Sequence, residues 1–116
     1  METYEKRKLK RRHLIYYLRV FDQKTGQLLG HLVDITTEGI MLISEKPIEV
    51  NRTYKVRMAL PTQILRRSDM VFEAVSVWSK RDVNPDFFAT GFRITGVSEE
   101  DVSVVERLIH RYGFND

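Results

Sequence analysis

Between His13 and Ile94 the chain breaks into short apolar runs separated by turn residues at intervals of about 8–12 positions, the rhythm of a barrel or sandwich of antiparallel strands. The first run, His13–Phe21, is rich in Ile, Tyr, Val and Phe. It stops at the polar stretch from Asp22 to Gly26, where glycine can supply the positive φ of a turn. The following runs are Gln27–Ile35, Ile40–Ser44, Thr53–Leu60, Met70–Trp78 and Phe87–Ile94. They are broken in turn by Thr36–Gly39, by Pro47 and Val50–Arg52, by Pro61 with the polar stretch Thr62–Asp69, and by Asn84-Pro85. In the fifth run Val71, Glu73, Val75 and Val77 fall on one face and Met70, Phe72, Ala74 and Trp78 on the other. The second face is assigned to the core. Tyr16 and Tyr17 are adjacent in a strand and so face opposite sides.

After Ile94 the period changes from two to that of a helix. Ser98 followed by Asp101 resembles a capping box, in which the serine hydroxyl and the acid three residues on satisfy the first helix amides. Val102, Val105, Leu108 and Ile109 recur at helical spacing, and Gly113 is a plausible stop. The expected fold is therefore all-β with one terminal helix: six strands over residues 13–94 and a helix spanning 98–112.

At 116 residues and 42% hydrophobic the chain suits one domain with one core. With no cysteine there is no disulfide framework, thiolate nucleophile or thiolate metal site. No apolar run approaches the roughly 18–20 residues that cross a bilayer. The basic N-terminus lacks a cleavage site of small residues, so a soluble, reducing cytoplasm is the expected location. Charge sharpens this picture. Residues 1–12 carry six basic side chains (Lys6, Arg7, Lys8, Lys10, Arg11 and Arg12) against Glu2 and Glu5, a net +4. The whole chain is only +3, which leaves the remainder at −1. The sequence pI of about 9.3 thus describes a terminal segment. Duplex DNA, which asks for a broad positive face, is not expected as a partner, and a small anion fits better.

Signals for catalysis are poor. His13, His31 and His110 sit in different elements with no partner at metal-ligand spacing, and no serine has the glycines of a nucleophile elbow. Glu99 and Glu100 fall in the first turn of the helix, where acids favour the helix dipole. No glycine-rich phosphate loop is present. The chain is not expected to be an enzyme, nor to hold a metal or a cofactor.

The chemistry concentrates in two places. Arg7 and Arg11 stand in RxxxR spacing within KRKLKRR, and Asp34, Thr36 and Gly39 stand in DxTxxG spacing. In this order, inside six strands and a helix, they resemble the PilZ domain, marked by an RxxxR segment followed by a (D/N)xSxxG turn. The segments GHLVDITTEGIMLIS and VSVWSKRDVNPDFFATGFRI and the helix opened by SEED extend the resemblance over nearly the whole chain. Thr36 stands where the family has serine, Glu38 adds a negative charge, and a register through Lys8 and Arg12 lies one step away.

The resemblance implies a six-stranded antiparallel (Greek-key, split) β-barrel closed by a C-terminal helix, with cyclic di-GMP as its ligand. It implies a site of Arg7, Arg11, Arg12, Asp34, Thr36 and Gly39. Arginine forks match phosphate oxygens or the guanine O6/N7 edge. A carboxylate such as Asp34 can accept from guanine N1–H and the exocyclic amine, and Thr36 adds a hydroxyl. Gly39 permits a positive φ and a close backbone approach to the ligand. Each also has a purely structural use. Asp34 and Thr36 can bind turn amides, Gly39 can serve the turn, and the arginines can form a solvated tail. The expected action is that residues 1–12, a flexible segment, fold over a barrel formed by residues 13–116 when the nucleotide arrives. That would change a surface read by a downstream protein partner in motility, biofilm or related signalling. Two other readings stay open: a PilZ-like interaction module without ligand, and a small-barrel RNA binder. Monomer and homodimer are both allowed.

Overall fold

The computed structural model describes residues 18–61 and 67–112. Six strands are found there: β1 Arg19–Asp22, β2 Leu28–Ile35, β3 Gly39–Ser44, β4 Thr53–Ala59, β5 Asp69–Arg81 and β6 Phe88–Gly96. A helix, α1, spans Glu99–Tyr112. Every strand pairing is antiparallel, and the ring runs β1–β2–β3–β6–β5–β4 and back to β1. Two three-stranded meanders thus meet along β3–β6 and β1–β4. This is the six-stranded antiparallel barrel with a terminal helix expected from the sequence. Closure leaves none of the described strands with an unpaired edge, the usual hazard of an open sheet.

Alternation fills the interior. Val20, Leu32, Ile40, Leu42, Val56, Met58, Met70, Phe72, Ala74 and Phe92 are buried in one cluster, joined by Val104, Val105 and Leu108 of α1. Of the helical stripe predicted above, Val105 and Leu108 are buried while Val102 and Ile109 are half-buried. Ser98 caps α1 through its hydroxyl, which accepts the Asp101 amide at 3.1 Å. The reciprocal half of the expected capping box differs. The Asp101 carboxylate, 9% exposed, accepts a hydrogen bond from Arg67 at 2.8 Å instead. A full guanidinium charge outcompetes a neutral amide for it.

The β3–β4 connection must cross an end of the barrel, since those strands are not neighbours in the ring. Ser76 ties it down. Its hydroxyl, fully buried, donates to the Glu49 carbonyl at 2.6 Å and accepts the Arg52 amide at 3.2 Å. Asn51 takes a left-handed φ of 62° there, a conformation asparagine tolerates better than most residues. Gly26 does the same at the β1–β2 turn with φ 78°, as predicted.

Strand limits differ from expectation by a residue at most strands and by more at three. β1 begins at Arg19, with His13–Tyr17 outside the described residues. β5 runs on to Arg81 instead of stopping at Trp78, because Ser79, Lys80 and Arg81 keep pairing with Thr90, Ala89 and Phe88. β6 starts at Phe88 and extends to Gly96. Gly113, the predicted helix stop, lies outside the described residues.

Candidate functional site

Two extra residues decide what faces outward. In β2, Leu32 pairs with Leu42 and Asp34 with Met41, so Val33 is a bulge residue. In β5, Ser76 pairs with Phe92 and Trp78 with Gly91, so Val77 is another. Without its bulge, strict alternation from buried Leu32 would send Asp34 into the core. The same shift carries Trp78 off the face of Met70, Phe72 and Ala74. The sequence assignment of Trp78 to the core is therefore corrected: the ring is 40% exposed, while buried Ser76 takes the inward position before it.

The result is a single outward row across four strands: Asp34 of β2, Met41 of β3, Gly91 of β6 and Trp78 of β5, each the register partner of the next. Glycine leaves the middle of the row bare. A Cβ built on Gly91 would lie 2.2 Å from Trp78 Nε1 and 2.4 Å from Cε2, so an edge of the indole passes directly over this glycine. A shallow cleft of about 210 Å³ opens here, lined by Asp34, Thr36, Gly39, Met41, Trp78 and Gly91 among others. A larger hollow of about 370 Å³, walled by Leu28, His31, Ile43 and Phe87 among others, lies elsewhere along β2 and β3 and holds none of the polar turn.

The turn itself is built by Thr36. Its amide donates to the Gly39 carbonyl at 2.8 Å, and its Oγ1 accepts the amides of Glu38 and Gly39, both at 3.1 Å. The structural use of this hydroxyl is thus realised, and the hydroxyl proton remains available as a donor. The Glu38 carbonyl accepts the Ile94 amide at 2.8 Å and anchors the turn to β6. Asp34, partly buried, accepts the Ile35 amide on Oδ1 at 2.9 Å.

Gly39 needs a different explanation from the one read in the sequence. Its φ is not positive; Gly26 is the positive-φ glycine among the described residues. A Cβ at position 39 would meet the Phe92 carbonyl oxygen at 2.6 Å. The close approach that demands glycine is to the β6 backbone.

The structure thus brings Asp34, Thr36 and Gly39 to one cleft. Arg7, Arg11 and Arg12 lie outside the described residues, as does the whole 1–12 segment. Sequence reading missed Trp78 and Gly91 as parts of this cleft, and it missed Arg93. That exposed arginine is the register partner of Gly39, two positions along the outer face from Gly91. It forms no ion pair among the described residues. Only the pairing register could have revealed the three. Among the described residues no group of histidine and acidic side chains could hold a metal. No described helix is long and apolar enough to cross a membrane.

The PilZ domain family model matches residues 5–111. A search of curated proteins finds no significant match. Among solved structures, the chain is similar to MotI/DgrA, an inhibitor of motility from Bacillus subtilis, with a TM-score of 0.68 at 14% identity. It covers 86% of this chain but 48% of that one, so the present chain spans about half of that protein's length. It is also similar to the PilZ domain with c-di-GMP of YcgR from Escherichia coli, with a TM-score of 0.60 at 14% identity over 84% of this chain and 81% of that one. The family match covers most of the sequence, and the chain belongs to the PilZ family.

Proposed function

We propose that this PilZ-family chain is a receptor for cyclic di-GMP, held at the Asp34–Gly39 turn and clasped by the arginines of the N-terminal segment. The observation that carries the reading is the gathering of Asp34, Thr36 and Gly39 in one open cleft on the outside of the barrel. Asp34 is the acceptor for the guanine N1–H and exocyclic amine, which adenine does not offer in that arrangement. The Thr36 hydroxyl, already accepting two turn amides, donates its proton to the ligand. Arg7 and Arg11, with Arg12 accessory, supply forks for phosphate or the guanine O6/N7 edge.

Chain direction supports the clasp. β1 is antiparallel to β2, and the Leu18 carbonyl accepts the Leu32 amide at 2.7 Å, two residues from Asp34. Leu18 is six positions from Arg12 and seven from Arg11, spans of at most about 20–25 Å. The arginines are thus tethered within reach of the Asp34 end of β2. Ordering of that segment on the ligand is the step that would alter a surface read by a partner protein.

Calorimetry tests the reading. Cyclic di-GMP is expected to bind the purified protein and cyclic di-AMP to bind much more weakly. Arg11→Ala is expected to abolish binding and Asp34→Ala to weaken it roughly a hundredfold, while the circular dichroism spectrum stays that of the parent. No heat of binding at high micromolar cyclic di-GMP would overturn it in favour of an interaction module without ligand. Salt-steep binding of single-stranded RNA with no guanine preference would favour the RNA reading instead.

A further inference from the structure

We infer that the barrel end away from the Asp34 turn is a self-association surface. Val83, at the tip of the β5–β6 hairpin, enters the hollow walled by Leu28, Leu29, Ile43 and Phe87 of a second copy, which returns the contact. The inference goes beyond the receptor reading and does not depend on it.

The placement of exposed apolar surface comes first. Among the described residues the large apolar side chains left exposed are Leu28, Val50, Val77, Trp78 and Val83. Val77 and Trp78 line the cleft already described. Leu28, Val50 and Val83 lie on or beside the β1–β2, β3–β4 and β5–β6 connections, which share one end of the antiparallel barrel. The hollow of about 370 Å³ opens at the same end, between the start of β2, the end of β3 and the foot of the hairpin. The Asp34–Gly39 turn joins β2 to β3 at the other end, so a partner seated here leaves that turn uncovered.

The hairpin tip comes second. Val83 is 96% exposed, so no described residue of its own chain covers it. Its loop is nevertheless held in place. The Asp82 amide donates to the Phe87 carbonyl at 2.9 Å, the Asn84 amide to the Asp82 carboxylate at 3.3 Å, and the Asp86 amide to the Asn84 side-chain oxygen at 3.1 Å. Arg81 donates to the Pro85 carbonyl at 2.8 Å. A knob fixed in advance loses little conformational entropy on docking.

Both halves of the contact belong to one surface, and this selects a second copy as the occupant. A two-fold interface uses the same patch twice, so knob and hollow must adjoin. They do: Phe87, a wall of the hollow, is bonded to Asp82, the neighbour of Val83. Charge agrees. Asp82 and Asp86 bracket the knob, and Lys46 stands on the rim of the hollow. None of the three forms an ion pair among the described residues. Across the two-fold axis each acidic tip meets the other copy's lysine, and the rim's acid, Glu45, has Arg81 of the hairpin as its counterpart. A contact of one knob per copy is at the small end of specific interfaces, and a micromolar dissociation constant is expected.

Analytical ultracentrifugation of the full chain over a dilution series tests this. Dimers are expected at about 100 μM and monomers at about 1 μM. Val83→Asp and Leu28→Asp are each expected to weaken association about tenfold or more. Both side chains are exposed, so the circular dichroism spectrum stays that of the parent. Mixing the two variants restores one of the two contacts, because the intact hollow of one receives the intact valine of the other. The mixture is therefore expected to associate more tightly than either variant alone. A parent that stays monomeric at about 100 μM overturns the inference and leaves the hollow to a different protein. A dimer that both variants leave unchanged, or a mixture no tighter than its components, overturns it as well.

Discussion

Two opposite walls of the barrel carry an aromatic ring beside cationic side chains, and they use it differently. On the β1–β4 wall Phe21 lies under the guanidiniums of Arg57 at 4.5 Å and Arg19 at 5.9 Å, and Arg57 also approaches Asp69 at 3.8 Å. Ring, cations and carboxylate there engage one another. On the β3–β6 wall the ring of Trp78 rests over a glycine, with bare backbone towards Met41 and a polar turn beyond. Composition alone would rank the two patches alike. What distinguishes them is the residue between the strands: a side chain that closes the first wall on itself, and a hydrogen atom that leaves the second open.

Perturbing each wall tests that contrast. The largest effect is expected from Asp34→Ala. Loss of two charge-assisted hydrogen bonds at about 1.5 kcal/mol each weakens cyclic di-GMP binding roughly a hundredfold, measured by calorimetry. Next, Gly39→Ala forces a Cβ against the Phe92 carbonyl. A cost of about 1–3 kcal/mol is expected in the denaturant midpoint, as for other overpacked sites. An unchanged midpoint would show that β6 yields at that point. Gly91→Ala is expected to be milder for stability, because the displaced group is a half-exposed indole and not backbone. Its signature is a shifted tryptophan emission in the ligand-free protein, and an identical spectrum would contradict the seat of the ring over the glycine. On the other wall, Phe21→Ala is expected to cost about 1 kcal/mol of stability through lost burial and cation contact, with cyclic di-GMP affinity unchanged. The smallest effect is expected from Arg57→Ala, within about 1 kcal/mol in thermal or chemical melts, since its ion pair is long and half-exposed. A loss of nucleotide binding in either of these two variants would break the distinction between the walls.

Much of this architecture is legible in the order of residues. Apolar alternation with Gly26, Pro47 and Asn84-Pro85 as punctuation identifies six strands, and Ser98 marks the helix start through the hydroxyl contact observed. The DxTxxG turn is legible too, because Thr36 carries its own hydrogen-bonding pattern locally. What escapes is whatever depends on pairing between distant strands. Val33 and Val77 look like ordinary strand residues, and nothing nearby marks them as extra; only the partners Leu42 and Phe92 make them so. Trp78 was misassigned for that reason, and Gly91 and Arg93 became part of the site face only through register. The reason for glycine at position 39 escaped likewise, since it lies in the Phe92 carbonyl more than fifty residues away. The Asp101 carboxylate satisfies the local logic of a helix start, yet a remote arginine claims it.

The two extra valines have a consequence for how such a site can be lost or gained. If either bulge were ironed out with its valine retained, the strand would slip by one position against its partner and turn Asp34 or Trp78 towards the interior with every recognition residue still present in the chain. Point substitution would leave a visible gap in the motif; such a slip would leave the motif intact and silent. In comparing chains of this architecture, the pairing register of the second and fifth strands thus carries information that residue identity does not.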